Sequence, residues 1–411
     1  MLFKIFSTIV KKLIFVINIL FLNFSSSFSQ NFTFVSGKII DVNSKNPISG
    51  VYVGIPAKGA STSAIGITTN ESGEFILKYP ILLQNTGNLI ITKINFKDIR
   101  KSLLEFKDKK DSLTFEIQAV DKKVVEAKDG RKTIDYVVSR LEKNYNVNPY
   151  FLQGFYRETL HVDSAFVKIS EGILKVEKYP FPDKGNLGEV AKLLKGRSYE
   201  KAEGKEIWEN LQFGNGADLV IRTLETKTPD FLDKTTLKNY KYQIESDISE
   251  YDGMPVFNIS FSPIDKKLKG AKIGKMQVDT LTMGILNYEF EFTPEGLKDV
   301  MGGSVFGGSK DAKVKTFKVI QNYHAALNNY YLHESVLIIE AVIKQGRVEI
   351  PAKLTLIFLP TEANSRMGLA IKDSEILENT TFPTGGKRYD DNFWGNFNFI
   401  KPTDGLRQII K

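Results

Sequence analysis

The chain has 411 residues, 42% hydrophobic, 25% charged and 11% aromatic, proportions that exclude wholesale disorder and a collagen-like architecture. It has no cysteine, which excludes disulfides, thiolate-held zinc, iron–sulfur clusters and a thiol nucleophile, and its three histidines (His161, His324 and His333) leave little for a histidine-rich metal site. Lys and Arg number 56 against 48 Asp and Glu, a surplus of +8 that forms no basic stripe, so nucleic acid is not an expected partner.

Lys4, Lys11 and Lys12 precede an apolar run from Leu13 to Leu22, and Ser27 and Ser29 then stand at −3 and −1 of a small-residue site. This order of positive start, short apolar stretch and small residues is that of a secretory signal, with cleavage expected after Ser29. About ten apolar residues are short for a membrane span of about twenty, and no later stretch reaches eighteen. The expectation is an exported protein, in the periplasm or on the periplasmic face of the outer membrane, with no transmembrane helix in the mature chain.

Residues 30–122 read as a small β-sandwich. Phe115, Ile117 and Ala119 alternate with Thr114, Glu116 and Gln118, Leu89–Ile94 is a second strand, and turn residues recur at 43–47, 70–73 and 85–88. About seven strands in ninety residues is a sandwich by count. Gly37-Lys38-Ile39-Ile40-Asp41, Pro47-Ile48-Ser49-Gly50-Val51-Tyr52-Val53 and the run Gly66–Leu77 resemble the carboxypeptidase-like regulatory domain. That resemblance implies a seven-stranded transthyretin-like, or prealbumin-like, sandwich of the kind found in exported Bacteroidota proteins, where it serves as a spacer or docking module. The stretch is also similar to the extension before the plug of some TonB-dependent transporters. A zinc carboxypeptidase is excluded, because none of the three histidines opens a His-x-x-Glu or His-Glu-x-x-His pair. Asp41, Asn43, Asn70 and Glu71 could hold calcium, although such turn residues more commonly cap their own backbone.

Residues 123–149 form a linking helix. Ile134, Val137, Val138, Leu141 and Tyr145 make one apolar stripe expected to pack on the following domain, with Thr133 as N-cap and Asn148-Pro149 as the stop. Residues 150–411 are β-rich. After Gly154-Phe155-Tyr156-Arg157-Glu158, strands are expected over Ala165–Val176, Tyr240–Ile244, Pro255–Phe261, Gly274–Val278, Gly284–Phe292, Lys313–Asn322, Tyr330–Val342 and Glu349–Phe358, interrupted by helices at Leu187–Leu194 and Ala217–Thr226. Tyr251-Asp252-Gly253-Met254 reads as a hairpin turn. Long successive antiparallel strands predict a curved sheet or half-barrel, so the fold class is mainly β. The Gly-Phe-Tyr-Arg-Glu run and these hairpins resemble uncharacterised Bacteroidota envelope proteins that join this sandwich to a β-rich domain. The hairpin rhythm is also similar to the half-barrels of the periplasmic lipoprotein-carrier family, whose concave face holds acyl chains.

Three stretches are candidates for function. On a strand, Phe155 and Arg157 face one side and Tyr156 and Glu158 the other, so Tyr156, Arg157 and Glu158 could line a cavity mouth or simply end an edge strand. Met301–Lys310 is glycine-rich but lacks the Gly-Lys-Ser/Thr order of a phosphate loop, and reads as a loop. Tyr389–Asn398 mixes aromatics with acids and amides, and Trp394 is either a carbohydrate platform or, with Phe393, a staple for the tail. No residue is assigned to catalysis or to a metal, and no cofactor is expected. The chain is expected to be a non-enzymatic envelope protein whose sandwich docks and whose curved domain binds an amphiphilic, lipid-like ligand or an envelope protein partner. The alternatives are an outer-membrane β-barrel, against which Leu337–Ile343 breaks clean alternation, and a carboxylate-dependent hydrolase acting on glycans.

Overall fold

The computed structural model describes residues 31–56, 64–109, 111–121, 123–124, 129–145, 148–163, 165–178, 189–201, 216–222, 224, 228–302, 312–326, 329–345, 347–364, 370–377, 382–385 and 390–410. The expected signal segment, Gly303–Lys310 and Tyr389 lie outside them. Among the described residues, no helix is long and apolar enough to cross a membrane.

Seven short strands open the chain: β1 (Phe32–Asp41), β2 (Tyr52–Ile55), β3 (Ala64–Thr68), β4 (Glu74–Pro80), β5 (Asn88–Thr92), β6 (Ile99–Ser102) and β7 (Leu113–Ile117). They form two layers, β4-β1-β7 and β6-β5-β2-β3. Alternation fixes the inward faces: Phe75, Leu77 and Tyr79 of β4 meet Val53, Ile67, Leu89 and Ile91 in one buried cluster. Gly73 sits at φ +73°, and a Cβ there would stand 2.5 Å from the Ile39 carbonyl oxygen, so this hairpin accepts only glycine. Asp41 Oδ1 accepts from the Asn43 and Ser44 amides, and Asn70 Oδ1 from those of Ser72 and Glu74, so both turn residues cap their own backbone.

Helix α1 (Gly130–Asn144) begins one turn earlier than the sequence suggests. Asp129 is its N-cap, accepting from the Arg131 and Lys132 amides at 3.0 and 3.1 Å, whereas Thr133 donates to the Asp129 carbonyl from inside the first turn. The carboxylate wins because it takes two orphan amides and also faces the helix dipole.

The remaining strands are β8 (Lys123–Val124), β9 (Tyr150–Val162), β10 (Ala165–Lys178), β11 (Val190–Glu200), β12 (Tyr240–Ile244), β13 (Asp247–Tyr251), β14 (Met254–Pro263), β15 (Lys272–Asp279), β16 (Ile285–Phe292), β17 (Ala312–Ala326), β18 (Asn329–Gln345) and β19 (Val348–Asn364). Eleven of them, β9 to β19, curl into an antiparallel half-barrel. Its order is β11-β10-β9-β19-β18-β17-β16-β15-β14, with β12 and β13 both on the far side of β14. The segment expected to be helical at Leu187–Leu194 is strand β11 from Val190 onward, because its amides complete the otherwise open edge of β10. Short helix α2 (Gly216–Ile221) stands at the start of the second expected helix, part of which lies outside the described residues, and α3 (Pro294–Gly302) follows β16.

The stripe of α1 packs on the half-barrel, as its spacing predicts. Ile134, Val137, Leu141 and Tyr145 share one buried cluster with α2 and with inward residues of most of the strands, Ile259, Met276, Val278, Tyr288, Leu337 and Ile339 among them. The hollow of the curl is therefore a protein core. The outer face carries ion pairs such as Lys275–Glu289–Lys318, the reverse of the apolar-out pattern of a membrane barrel.

The sandwich is not a separate bead. Ala64 and Ile65 of β3 pair with Ala363 and Glu362 of β19, so one sandwich layer runs straight into the half-barrel sheet. The Asp252-Gly253 hairpin, both residues at positive φ as its turn type demands, reaches back to touch the sandwich: the Asn95 amide donates to the Glu250 carbonyl at 2.9 Å.

Candidate functional site

Tyr156, Arg157, Glu158 and Trp394 are all buried, at 0%, 4%, 1% and 0% exposure. Alternation along β9 splits them as expected. Phe155 and Arg157 face the sandwich and the C-terminal tail, while Tyr156 and Glu158 face the half-barrel core. Arg157 and Arg197 stand in register on either side of Glu171 across β9, β10 and β11. Their Nε atoms donate to its two oxygens at 2.8 and 3.0 Å. Each arginine also holds the tail, Arg157 through the Ile400 carbonyl at 2.6 Å and Arg197 through that of Asp390 at 2.9 Å. Trp394 packs edge-on against Phe155 with centroids 5.4 Å apart, under the Arg197 guanidinium at 5.0 Å. Glu158 accepts from the Tyr156 hydroxyl at 2.8 Å with Lys168 3.7 Å away; burial pushes its carboxyl up, and the lysine charge opposes. These residues knit strands and tail together, and none of them lines the cleft described next.

The cleft lies where the sandwich meets the half-barrel. It has two chambers, of about 260 and about 380 Å³, which share Tyr52, Thr92 and Tyr251. Tyr52 can lie flat on the sheet because its neighbours are glycines: Gly54 and Gly66, paired across β2 and β3, leave no Cβ where the ring sits. Its outer side meets two of the three histidines, His324 stacked at 5.3 Å and His333 edge-on at 4.9 Å. His333 Nε2 lies 3.2 Å from the Thr68 hydroxyl.

The larger chamber is polar. Asn322 bridges Asn287 and Glu334 at 2.7 and 2.8 Å, and Lys93 donates to the Ser49 and Gly50 carbonyls. The smaller chamber is walled by Pro56, Ala64, Ile90, Asp98, Arg100, Asp252 and His324. Arg100 binds Asp252 at 2.5 Å and stands 3.7 Å from Asp98.

Burial holds the cleft imidazoles neutral. His324 is pushed down to about 4, and His333 to about 3, first by burial and then by the positive charges of His324 and Lys93. Both folded values lie below the ordinary 6.5, so the unfolded chain binds more protons in acid. Their contribution to stability is complete above pH 6.5 and falls away as the pH drops toward 4. Urea midpoints should therefore decline between pH 6.5 and 4, and the decline should flatten in a His324→Gln/His333→Gln variant; parallel pH profiles would contradict this.

Sequence reasoning weighed the histidines only as metal ligands and singled out none of Tyr52, Asp98, Asp252, His324 or His333 for this place. The signal that could have pointed to it is the pair of glycines flanking Tyr52. Among the described residues no group of acidic and histidine side chains is arranged to hold a metal ion.

No protein-family model matches the chain, and no curated protein matches it significantly. Among solved structures, a DUF1329 family protein from Desulfovibrio piger aligns over 60% of this chain and 96% of its own, at 9% identity and a TM-score of 0.24. A Bacteroides fragilis protein of unknown function, described as membrane-associated, aligns over 80% of this chain and 97% of its own, at 7% identity and a TM-score of 0.15. At such scores neither likeness carries an argument about this chain.

Proposed function

We propose that the chain is a non-enzymatic binding protein of the cell envelope, exported and cleaved after Ser29, whose regulatory-domain-like sandwich docks on the half-barrel so that the two together form a ligand cleft. The ligand is amphiphilic, and its polar end enters the cleft. The observation that carries this reading is the division of space in the half-barrel. The hollow, which the lipoprotein-carrier resemblance would reserve for acyl chains, is filled by α1, while the junction with the sandwich holds two adjacent chambers with aromatic and polar walls.

The test is native mass spectrometry of the protein purified from its own envelope, with organic extraction of whatever it carries. A stoichiometric amphiphile, lost in a Tyr52→Ala variant, is the expected result. A co-purifying polypeptide on a ligand-free chain would replace this reading with that of a docking scaffold, and an empty monomer would overturn ligand carriage.

A further inference from the structure

We propose that the smaller chamber of the cleft is a binding site for a primary ammonium group, either of a free amine or of an amphiphile's head group, with Asp98 as its counter-charge. The site rests on the binding reading above and names the chemistry of the ligand's polar end.

The first argument is unmet hydrogen bonding. Among the described residues, ten buried side-chain nitrogen and oxygen atoms make no hydrogen bond of normal geometry, and four of them belong to this one chamber: both carboxylate oxygens of Asp98, Thr92 Oγ1 and His324 Nδ1. Thr92 is only 6% exposed. Leaving buried polar atoms unpaired is costly, and such clusters in a cavity mark the place of a missing partner. Two carboxylate oxygens only accept, the single Thr92 hydroxyl beside them can donate to only one at a time, and a neutral imidazole presents one bare nitrogen. The complement is a compact donor with several N–H groups.

The second argument is charge. Asp98 and Asp252 contribute two negative charges and Arg100 one positive, and Arg100 is engaged by Asp252, so the chamber carries a net negative charge beside Asp98. Tyr52 and Tyr251 complete the chamber wall. A quaternary ammonium would satisfy the charge but none of the acceptors. An anion would meet Asp98 directly.

Asp98 also sets a pH dependence. Burial holds its carboxyl up at about 6, with the Thr92 hydroxyl and Arg100 pulling down and Asp252 pushing up. The other titratable groups facing it are Tyr52 on β2, Tyr251 on β13 and His324 on β17, with Lys93 in the adjoining chamber. The carboxylate is mostly ionised at pH 7.5 and mostly protonated at pH 5, and protonation of His324 below that would add repulsion in the same direction.

The experiment titrates the full protein, by calorimetry and by NMR, with ethanolamine, with lyso-phosphatidylethanolamine in detergent, and with lyso-phosphatidylglycerol and tetramethylammonium as controls. Saturable binding of an amine at pH 7.5 is expected, weakened at least tenfold at pH 5 and in Asp98→Asn, and severalfold in Thr92→Val, with urea midpoints reporting that both variants fold. Binding of ethanolamine alone identifies a free amine, and binding of the lyso-lipid alone identifies a head group. The proposal is overturned if neither amine saturates, if tetramethylammonium binds as tightly, or if Asp98→Asn binds the amine unchanged. Should the envelope-purified protein carry an amphiphile without an amine, the binding reading stands and only the ammonium assignment falls.

Discussion

A Glu171→Ala variant should lose about 3–5 kcal/mol of stability, the cost of removing one partner from a buried ionic group. Glu171 is wholly buried between Arg157 and Arg197, themselves 4% and 1% exposed, and it accepts from both. Without it two buried guanidiniums lose the carboxylate they share, and water cannot reach them without opening the sheet. Coulomb attraction is not what the variant chiefly loses, since a buried pair's attraction roughly offsets the cost of desolvating it. The loss comes from taking the shared carboxylate away from two buried charges. A contrasting variant isolates this: Arg157→Met/Glu171→Leu/Arg197→Met removes all three charges and should recover much of the loss, less about 1–3 kcal/mol for each tail carbonyl left without a donor. Urea denaturation followed by circular dichroism measures both. A Glu171→Ala midpoint within about 0.5 kcal/mol of the wild type would show that the triad adds nothing.

Trp394→Ala should cost a similar amount, about 3–5 kcal/mol for emptying a large aromatic site. The ring is fully buried among Phe155, Phe393 and Phe399, with centroids 4.8 to 6.2 Å away. The effect should also be local, because the tail it anchors covers the open edge of β4. There the Lys78 amide donates to Asn398 Oδ1 at 2.7 Å, and Asn398 Nδ2 donates back to the Lys78 carbonyl at 2.9 Å. Hydrogen exchange should find the Lys78 amide losing protection in Trp394→Ala well before the amides of β1. Equal loss across β1 and β4 would mean that the tail is no staple but one part of a single cooperative core.

Much of the architecture was legible because a strand's period of two is a local property. Expected strands such as Tyr240–Ile244 and Pro255–Phe261 match observed ones to within about two residues, a margin usual for element ends. The Asp252-Gly253 turn was legible because few other residue pairs accept two positive φ angles. Strand β11 was not, since Ala191, Leu193 and Leu194 suit a helix as well as a strand, and the open edge of β10 decided between them. The cap of α1 failed for a smaller reason, in that Asp129 and Thr133 both satisfy the cap rule and only geometry chooses.

By itself the sequence determined the mainly β class, the number of sandwich strands and the apolar stripe of α1, all of which follow from patterning within a few residues. The tertiary structure alone decided that α1 fills the hollow, that Glu171 faces an arginine on each side, and that Tyr52, Asp98, Asp252 and His324 meet around one cavity. Those neighbours come from distant parts of the chain. Their meeting depends on the pairing of β3 with β19 and the docking of the β13–β14 hairpin, and no local period or propensity records such long-range choices.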